Sequence, residues 1–267
     1  MSFYFQDKSW LELKDYLDKG TLILLPLGTV EEHGPHMATG ADAMIAEDTS
    51  RDIAEAFSKE KDVPPILVMP TFWSGYSMSI MNAWPGTVSV RASVVLTALT
   101  DIIGSLAKMG FYRIAVSNNH GHHDGICRQL VRDVADQYKI WISVFEPVAM
   151  AAKEFNEMRR SAPGGACHAC EYETSLLLHY NRPVDMSKAT AEDIMKYSSK
   201  FVPADGFCGS KKVIWSTWGL QQSGSGCYGD PTVASKETGR LLVDAMVKNS
   251  VEFLKEFCRV TIAPKQK

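Results

Sequence analysis

A short apolar run, a polar turn and an amphipathic helix follow one another repeatedly along the first 150 residues, and this recurrence constrains the fold more than any other feature. TLILLPLG (from Thr21) leads through GTVEEHGPHMATG to a helix predicted from Ala41 to about Ser58. ILVMP (from Ile66) precedes a helix over Ala92 to Met109, RIAVSN (from Arg113) one over Asp124 to Tyr138, and IWISVF begins at Ile140. Uninterrupted apolar runs suit strands covered on both faces. Their alternation with helices calls for a largely parallel sheet with helices on both sides, joined by right-handed crossovers. In such sheets ligands bind beyond the carboxyl ends of the strands, and the His-rich segments follow the strands that start at Thr21 and Arg113.

Before the first strand, Ser9 caps a helix that carries Trp10, Leu11, Leu13, Tyr16 and Leu17 and stops at Gly20. Beyond Ala151 the pattern loosens. A helix is expected from Glu171 to Tyr180, no clear element through Trp218, and a last helix from about Ala234 to Phe257. QQSGSGCYGDPT reads as a loop rather than a boundary and lacks the phosphate-loop pattern, so residues 1–267 form one expected domain.

A net charge of -3 supplies no basic field for nucleic acid or anionic lipid, so neither partner is expected. The N-terminus is charged throughout rather than signal-like, and no later stretch reaches about 18 uninterrupted apolar residues, which predicts a cytoplasmic protein that does not span a membrane. Six cysteines in 267 residues are too few for a disulfide scaffold. Cys167 and Cys170 form a lone C-x-x-C pair that suits zinc or redox work, but packing beside His168 is the favoured reading because no second pair completes a thiolate site.

Three segments carry chemistry. In EEH, an extended backbone turns Glu31 and His33 to one side and Glu32 to the other, and Asp42 begins the next helix within reach of both. A polar turn with a helix cap would use the same residues, and this segment alone does not decide. In NNHGHHD, His120 and His122 offer two imidazoles on one side of a strand end, with His123 in a supporting role. In CHACEYETS, Glu171 and Glu173 lie roughly 200° apart on a helix, so one faces a site. The apolar continuation through Leu176, Leu177 and Tyr180 selects Glu173 and leaves Glu171 toward solvent, while His168 on the preceding loop is free for proton transfer.

Carboxylates and imidazoles without an obligatory thiolate suit Zn, Mn, Fe or Co. Two divalent ions bring four positive charges against three from Glu31, Asp42 and Glu173, and an ionised water would meet the remainder, as a hydrolase needs.

LPLGTVEEHGPHMATGAD, WPGTVSV, SNNHGHHDG, HACEYETSLLL and YGDPTVAS, in that order, resemble the creatininase (creatinine amidohydrolase) family over most of the chain. The resemblance implies a three-layer α/β/α domain with a largely parallel central sheet and assembly into a homo-hexamer. It also implies two divalent ions (Zn, Mn or Fe), held by Glu31, His33, Asp42, His120 and Glu173 with Asp42 bridging and His122 a further candidate. Metal-activated water would attack a carbonyl carbon, and His168 would match the catalytic histidine that protonates the leaving nitrogen. Backbone N–H groups of the Gly-rich turns are candidate oxyanion donors.

Three positions depart from creatininase itself. His122 stands where the family's enzyme has a glutamate ligand, Gly121 where it has a tyrosine, and Gly164 where it has a substrate-stacking tryptophan. A flat heterocycle would lose aromatic contacts at both glycines. Trp73, Tyr76, Trp84, Trp215 and Trp218 are the aromatic residues left to line a different pocket. The leading expectation is hydrolysis of a C–N bond in a small molecule: a cyclic amide, a formamide or a short peptide-like amide. Ring opening of a keto-sugar or lactone-like substrate is the alternative, and a non-catalytic metal-binding protein is the third.

Overall fold

Leu22–Leu27 carries an apolar side chain at every position, and all six residues are buried in the strand they form, β1. The computed structural model describes residues 2–209, 213 and 221–260, so Trp215 and Trp218 lie outside the described residues. β1 sits between β2 (Ile66–Val68) and β3 (Arg113–Asn118), and β4 (Trp141–Phe145) continues the sheet beyond β3. All pairings are parallel, with Leu22 opposite Arg113 and Leu27 opposite Asn118.

The pleat sends alternate side chains to opposite layers. Ile23, Leu25 and Leu27 pack with Ile114 and Val116 against α3 (Ala92–Met109) and α4 (Asp124–Tyr138). Leu22 and Leu24 pack with Ala115 against α2 (Ala41–Phe57) and α8 (Lys236–Arg259). The result is the expected three-layer α/β/α architecture. Truncating a fully buried side chain such as Leu99 to Ala at such an interface costs about 2–5 kcal/mol. Among the described residues α3 is the one helix with the length and apolarity of a membrane span, and it uses Val95, Leu99, Ile103 and Leu106 to cover the sheet.

Local signals mark several helix ends, among them Gly110, in the left-handed region at the end of α3. Ser9 and Glu12 form the capping box of α1 (Trp10–Asp18). The last helix starts at Lys236 rather than Ala234, because Pro231–Val233 forms a separate short turn and the Ser235 side chain accepts from Thr238 N–H as the cap. After β4 come α5 (Pro147–Met150), α6 (Ala152–Met158), β5 (Ala166–His168) and α7 (Glu171–His179). β5 pairs antiparallel with β6 (Tyr228–Gly229), which corrects the expectation that His168 lies on a loop. Long-range pairing of this kind leaves no local periodic signal. In the strand order β2-β1-β3-β4, the chain leaves β1 for β2 on one side and then crosses back past β1 to β3 on the other, so the switch point, where ligands bind in such sheets, lies beyond the carboxyl ends of β1 and β3.

Candidate metal centre

The loop after β1 is folded back by Glu31, whose N–H donates to Thr39 O at 2.8 Å. This brings Asp42, in the first turn of α2, beside His33. Asp42 Oδ1 lies 3.3 Å from His33 Nε2, and Asp42 Oδ2 lies 2.8 Å from Nδ1 of His120, which follows β3. One carboxylate therefore faces two imidazoles from distant parts of the chain.

On either side of Asp42, donor atoms gather in two groups, Glu31 with His120 and His122, and His33 with His168 and Glu173. All seven candidate residues named from the sequence thus meet in one place. His122 is the outermost of the first group, and its Nδ1 accepts from Met78 N–H at 3.2 Å.

The ring orientations are set from behind. His33 Nδ1 meets Glu31 O at 2.9 Å and His120 Nε2 meets Tyr76 O at 3.0 Å, so a proton on each of these nitrogens leaves the opposite one free toward Asp42. Glu173 accepts from Tyr172 Oη–H at 3.0 Å and from Cys170 N–H at 3.2 Å, which fixes its carboxylate at the start of α7. Behind His120, His123 is buried and accepts from Tyr76 N–H, the supporting role expected of it.

Burial alone would raise the Glu31 carboxyl, yet hydrogen bonding to His122 and the charges of His168 and His120 hold it down at about 2. Burial would lower the His33 imidazole, but Asp42, Glu173 and Glu31 push it up to about 10. Asp42 is held below the usual carboxylate range against its burial, chiefly by His33 and His120. His120 is raised against its own burial by Asp42 and Glu31.

The donor atoms fit a divalent ion. Glu31 Oε1 and Oε2, His33 Nε2 and Asp42 Oδ2 are buried, and their polar contacts are confined to the carboxylates and imidazoles of this cluster. A buried carboxylate–imidazole set with no partners beyond itself is costly in an apolar interior, and divalent cations are its natural partners.

Two orientations differ from those expected. Glu171 is fully buried rather than turned to solvent, and its carboxylate accepts from Arg160 N–H and Ser161 N–H, both at 2.8 Å. The helical wheel could not show it, because those partners lie in the segment after α6, on the far side of β5 from α7. Cys167 and Cys170 are free thiols, as are the other four cysteines. Cys167 Sγ lies 3.7 Å from Ala204 O, and the buried Cys170 Sγ lies 3.5 Å from Glu173 Oε2.

Gly164 has φ +93, and a Cβ there would collide with Met195 O, so no aromatic side chain fits at this position without moving the chain. Trp73 is exposed, while Tyr76 serves the centre through its backbone. Trp84 lines an outer cavity of about 370 Å³ with Ser79, Asn82, Gln222 and Tyr228.

Sequence reasoning missed His36 and Glu146. His36 is buried with Nε2 at 2.9 Å from Thr174 Oγ1, and burial with the charges of His33 and His168 lowers it to about 4. Glu146, just past the carboxyl end of β4, accepts from Asn118 Nδ2–H at 3.0 Å. The strand-end rule that singled out His120 would have found it.

A parallel three-layer sheet with a carboxylate and imidazole cluster at its strand ends is the arrangement of a metallohydrolase. The chain belongs to the creatininase family: residues 6–254 match the family model described as "Creatininase: Creatinine amidohydrolase". It is 24% identical to the creatinine amidohydrolase of Pseudomonas putida, covering 96% of this chain and 97% of that protein. It is 24% identical to the mycofactocin precursor peptide peptidase of Mycolicibacterium smegmatis, covering 88% and 85%. A 3-dehydro-scyllo-inosose hydrolase of Thermotoga maritima is 27% identical over 118 residues, 44% of this chain and 36% of that protein. A crystal structure of creatinine amidohydrolase superposes with a TM-score of 0.81 at 19% identity, covering 97% and 99% of the two chains. Similar solved structures include a Mn creatininase and a Zn-Zn form of a creatininase mutant.

Proposed function

We propose that this amidohydrolase-family enzyme cleaves a C–N amide-type bond in a small molecule: a cyclic amide, a formamide or a short peptide-like amide. The observation that carries the reading is Asp42, whose two oxygens face His33 and His120 within a buried cluster of carboxylates and imidazoles. One ion is assigned to His33, Glu173 and Asp42, and the other to Glu31, His120 and Asp42, with His122 as the outer donor. Two divalent ions bound there would supply Lewis acidity toward a carbonyl oxygen and toward water.

The chain's own residues then divide the remaining work. Tyr76 O and Glu31 O hold the imidazoles of His120 and His33 in register, and Tyr172 with Cys170 holds Glu173. His168 is assigned proton transfer to the leaving nitrogen. Its Nδ1 faces Glu31 Oε1 at 3.3 Å, so this nitrogen is turned toward the reaction centre. The Gly164 crowding and the open space beside Gly121 argue for a substrate other than a flat ring stacked between aromatic side chains. Similarity to a peptide peptidase over most of the chain supports a peptide-like amide.

The test is restoration by metal. Protein stripped with chelator should regain hydrolysis of at least one lactam, formamide or dipeptide amide on addition of Zn or Mn. Metal-loaded protein that turns over none of them contradicts the reading.

Ring opening of a keto-sugar or lactone-like substrate is the second reading, favoured by the partial similarity to the inosose hydrolase. Replacing His168 should slow amides far more than activated esters if nitrogen is the leaving atom, and equally if it is not. Assembly into a homo-hexamer belongs to the same proposal and is checked by light-scattering mass.

A further inference from the structure

Glu32 stands between two assigned ligands, Glu31 and His33. Its side chain is 3% exposed. Oε2 accepts from Gly34 N–H at 2.9 Å, whereas Oε1 is buried without a hydrogen bond and lies 3.5 Å from His168 Nε2. The main-chain oxygen of the same residue meets that nitrogen at 2.9 Å. Among the described residues, His168 is the one cationic group within ion-pair distance of this carboxylate. A glutamine would satisfy Gly34 N–H equally well, so the buried charge is not explained by the turn it closes.

The carboxylate is also walled into this place. Gly226 has φ +87, and a Cβ on it would collide with Glu32 Oε2. The loop that carries Gly226 is fastened by Asp193 Oδ2, which accepts from Ser225 N–H and Gly224 N–H at 3.0 Å and from the hydroxyls of Ser223 and Ser225 at 2.8 and 2.7 Å. The Gly/Ser-rich segment therefore packs Glu32 against His168.

We propose that Glu32 is a positioning residue for His168: its main-chain and side-chain oxygens together keep the ring hydrogen on Nε2 and turn Nδ1 toward the reaction centre. The inference rests on the proton-transfer role proposed for His168. With Nε2–H held by Glu32, Nδ1 is the nitrogen that exchanges protons. The proton it takes from the attacking water is the one it gives to the leaving nitrogen, and the ring ends in the tautomer in which it began. A buried acceptor that fixes a catalytic imidazole from behind has the same logic as the third member of a serine-protease triad.

The diagnostic variant is Glu32→Gln. Gly34 N–H selects the amide oxygen, so the amide NH2 falls where Oε1 was and a donor faces the Nε2–H donor. A residue that merely closes the turn would tolerate this exchange. The experiment uses full-length, Zn-loaded protein with ring-15N histidine, and His168 resonances are assigned by their loss in His168→Gln.

The wild type should show an exchange-protected Nε2–H and an unprotonated Nδ1 at His168. Glu32→Gln should keep its zinc content yet lose that protection and shift toward the other tautomer. On a series of N-formylanilines, Glu32→Gln should lower kcat about 10–100-fold with KM within about threefold, the loss growing as the aniline becomes a poorer leaving group. An unchanged His168 tautomer with unchanged leaving-group dependence overturns the proposal, and so does loss of zinc, which would place Glu32 among the supports of the metals instead. If His168→Gln itself leaves the leaving-group dependence of the wild type, the role of His168 fails, whatever Glu32 does.

Discussion

The donor group of His33, His168 and Glu173 is enclosed, whereas the group of Glu31, His120 and His122 opens outward at His122, whose side chain is 21% exposed. His33 is fully buried with its ring tied to Glu31 O, and both carboxylate oxygens of Glu173 are already hydrogen-bonded. His122 is held instead by Met78 N–H, which donates to its Nδ1 at 3.2 Å from a segment outside any helix or strand. The comparison teaches that one position is fixed by the core and the other by a connection that can be reshaped without disturbing it. The enclosed group is suited to holding an ion, the outer group to admitting substrate.

The largest expected effect comes from the residue that both groups share. Asp42→Ala should bring metal content below one ion per chain and lower turnover by about a thousandfold or more, since several kcal/mol of charge stabilisation go with the ions. Elemental analysis with steady-state rates checks it, and retention of both ions would erase the link between the groups.

Next in size, His168→Gln should slow amide hydrolysis by about 10²–10⁴-fold, the range of general acid–base catalysis, with metal content unchanged. Loss of an ion would instead make His168 a ligand of the enclosed group, within which it lies.

Smaller still, His122→Ala should weaken one ion by about 10–100-fold and leave the other, if the outer group is as separable as its exposure indicates. Competition titrations with a zinc indicator distinguish this from a loss at both sites.

The smallest effect is on pH dependence without metal. His33 is raised to about 10 in the folded chain, so its contribution to stability is complete below its unfolded pKa of about 6.5 and is lost as pH rises through about 10. Glu31 is held at about 2, so its contribution is present above about 4.5 and is lost as pH falls through about 2. Metal-free protein should therefore lose stability at both ends, and metal binding near pH 8 should release a proton from His33. Calorimetry in buffers of different ionisation enthalpy measures that release.

Much of this was legible from the chain. Period and run length located every strand of the main sheet and the helices between them, because burial on both faces writes itself into consecutive residues such as Leu22–Leu27. The site was legible for a related reason: imidazoles and carboxylates placed directly after apolar strands must meet at one edge of a parallel sheet. What was hidden depends on contacts between distant segments. The pairing of β5 with β6, the hydrogen bonding of Glu171 to the segment after α6, and the approach of Glu32 to His168 each join residues whose local patterns do not refer to one another.

Anomalous diffraction from crystals soaked in Mn tests the central claim most directly. The account predicts two peaks flanking Asp42 about 3.5–4 Å apart, one beside His33 and Glu173 and the other beside Glu31 and His120. A single peak, or density at Cys167 and Cys170 with none at Asp42, would contradict it.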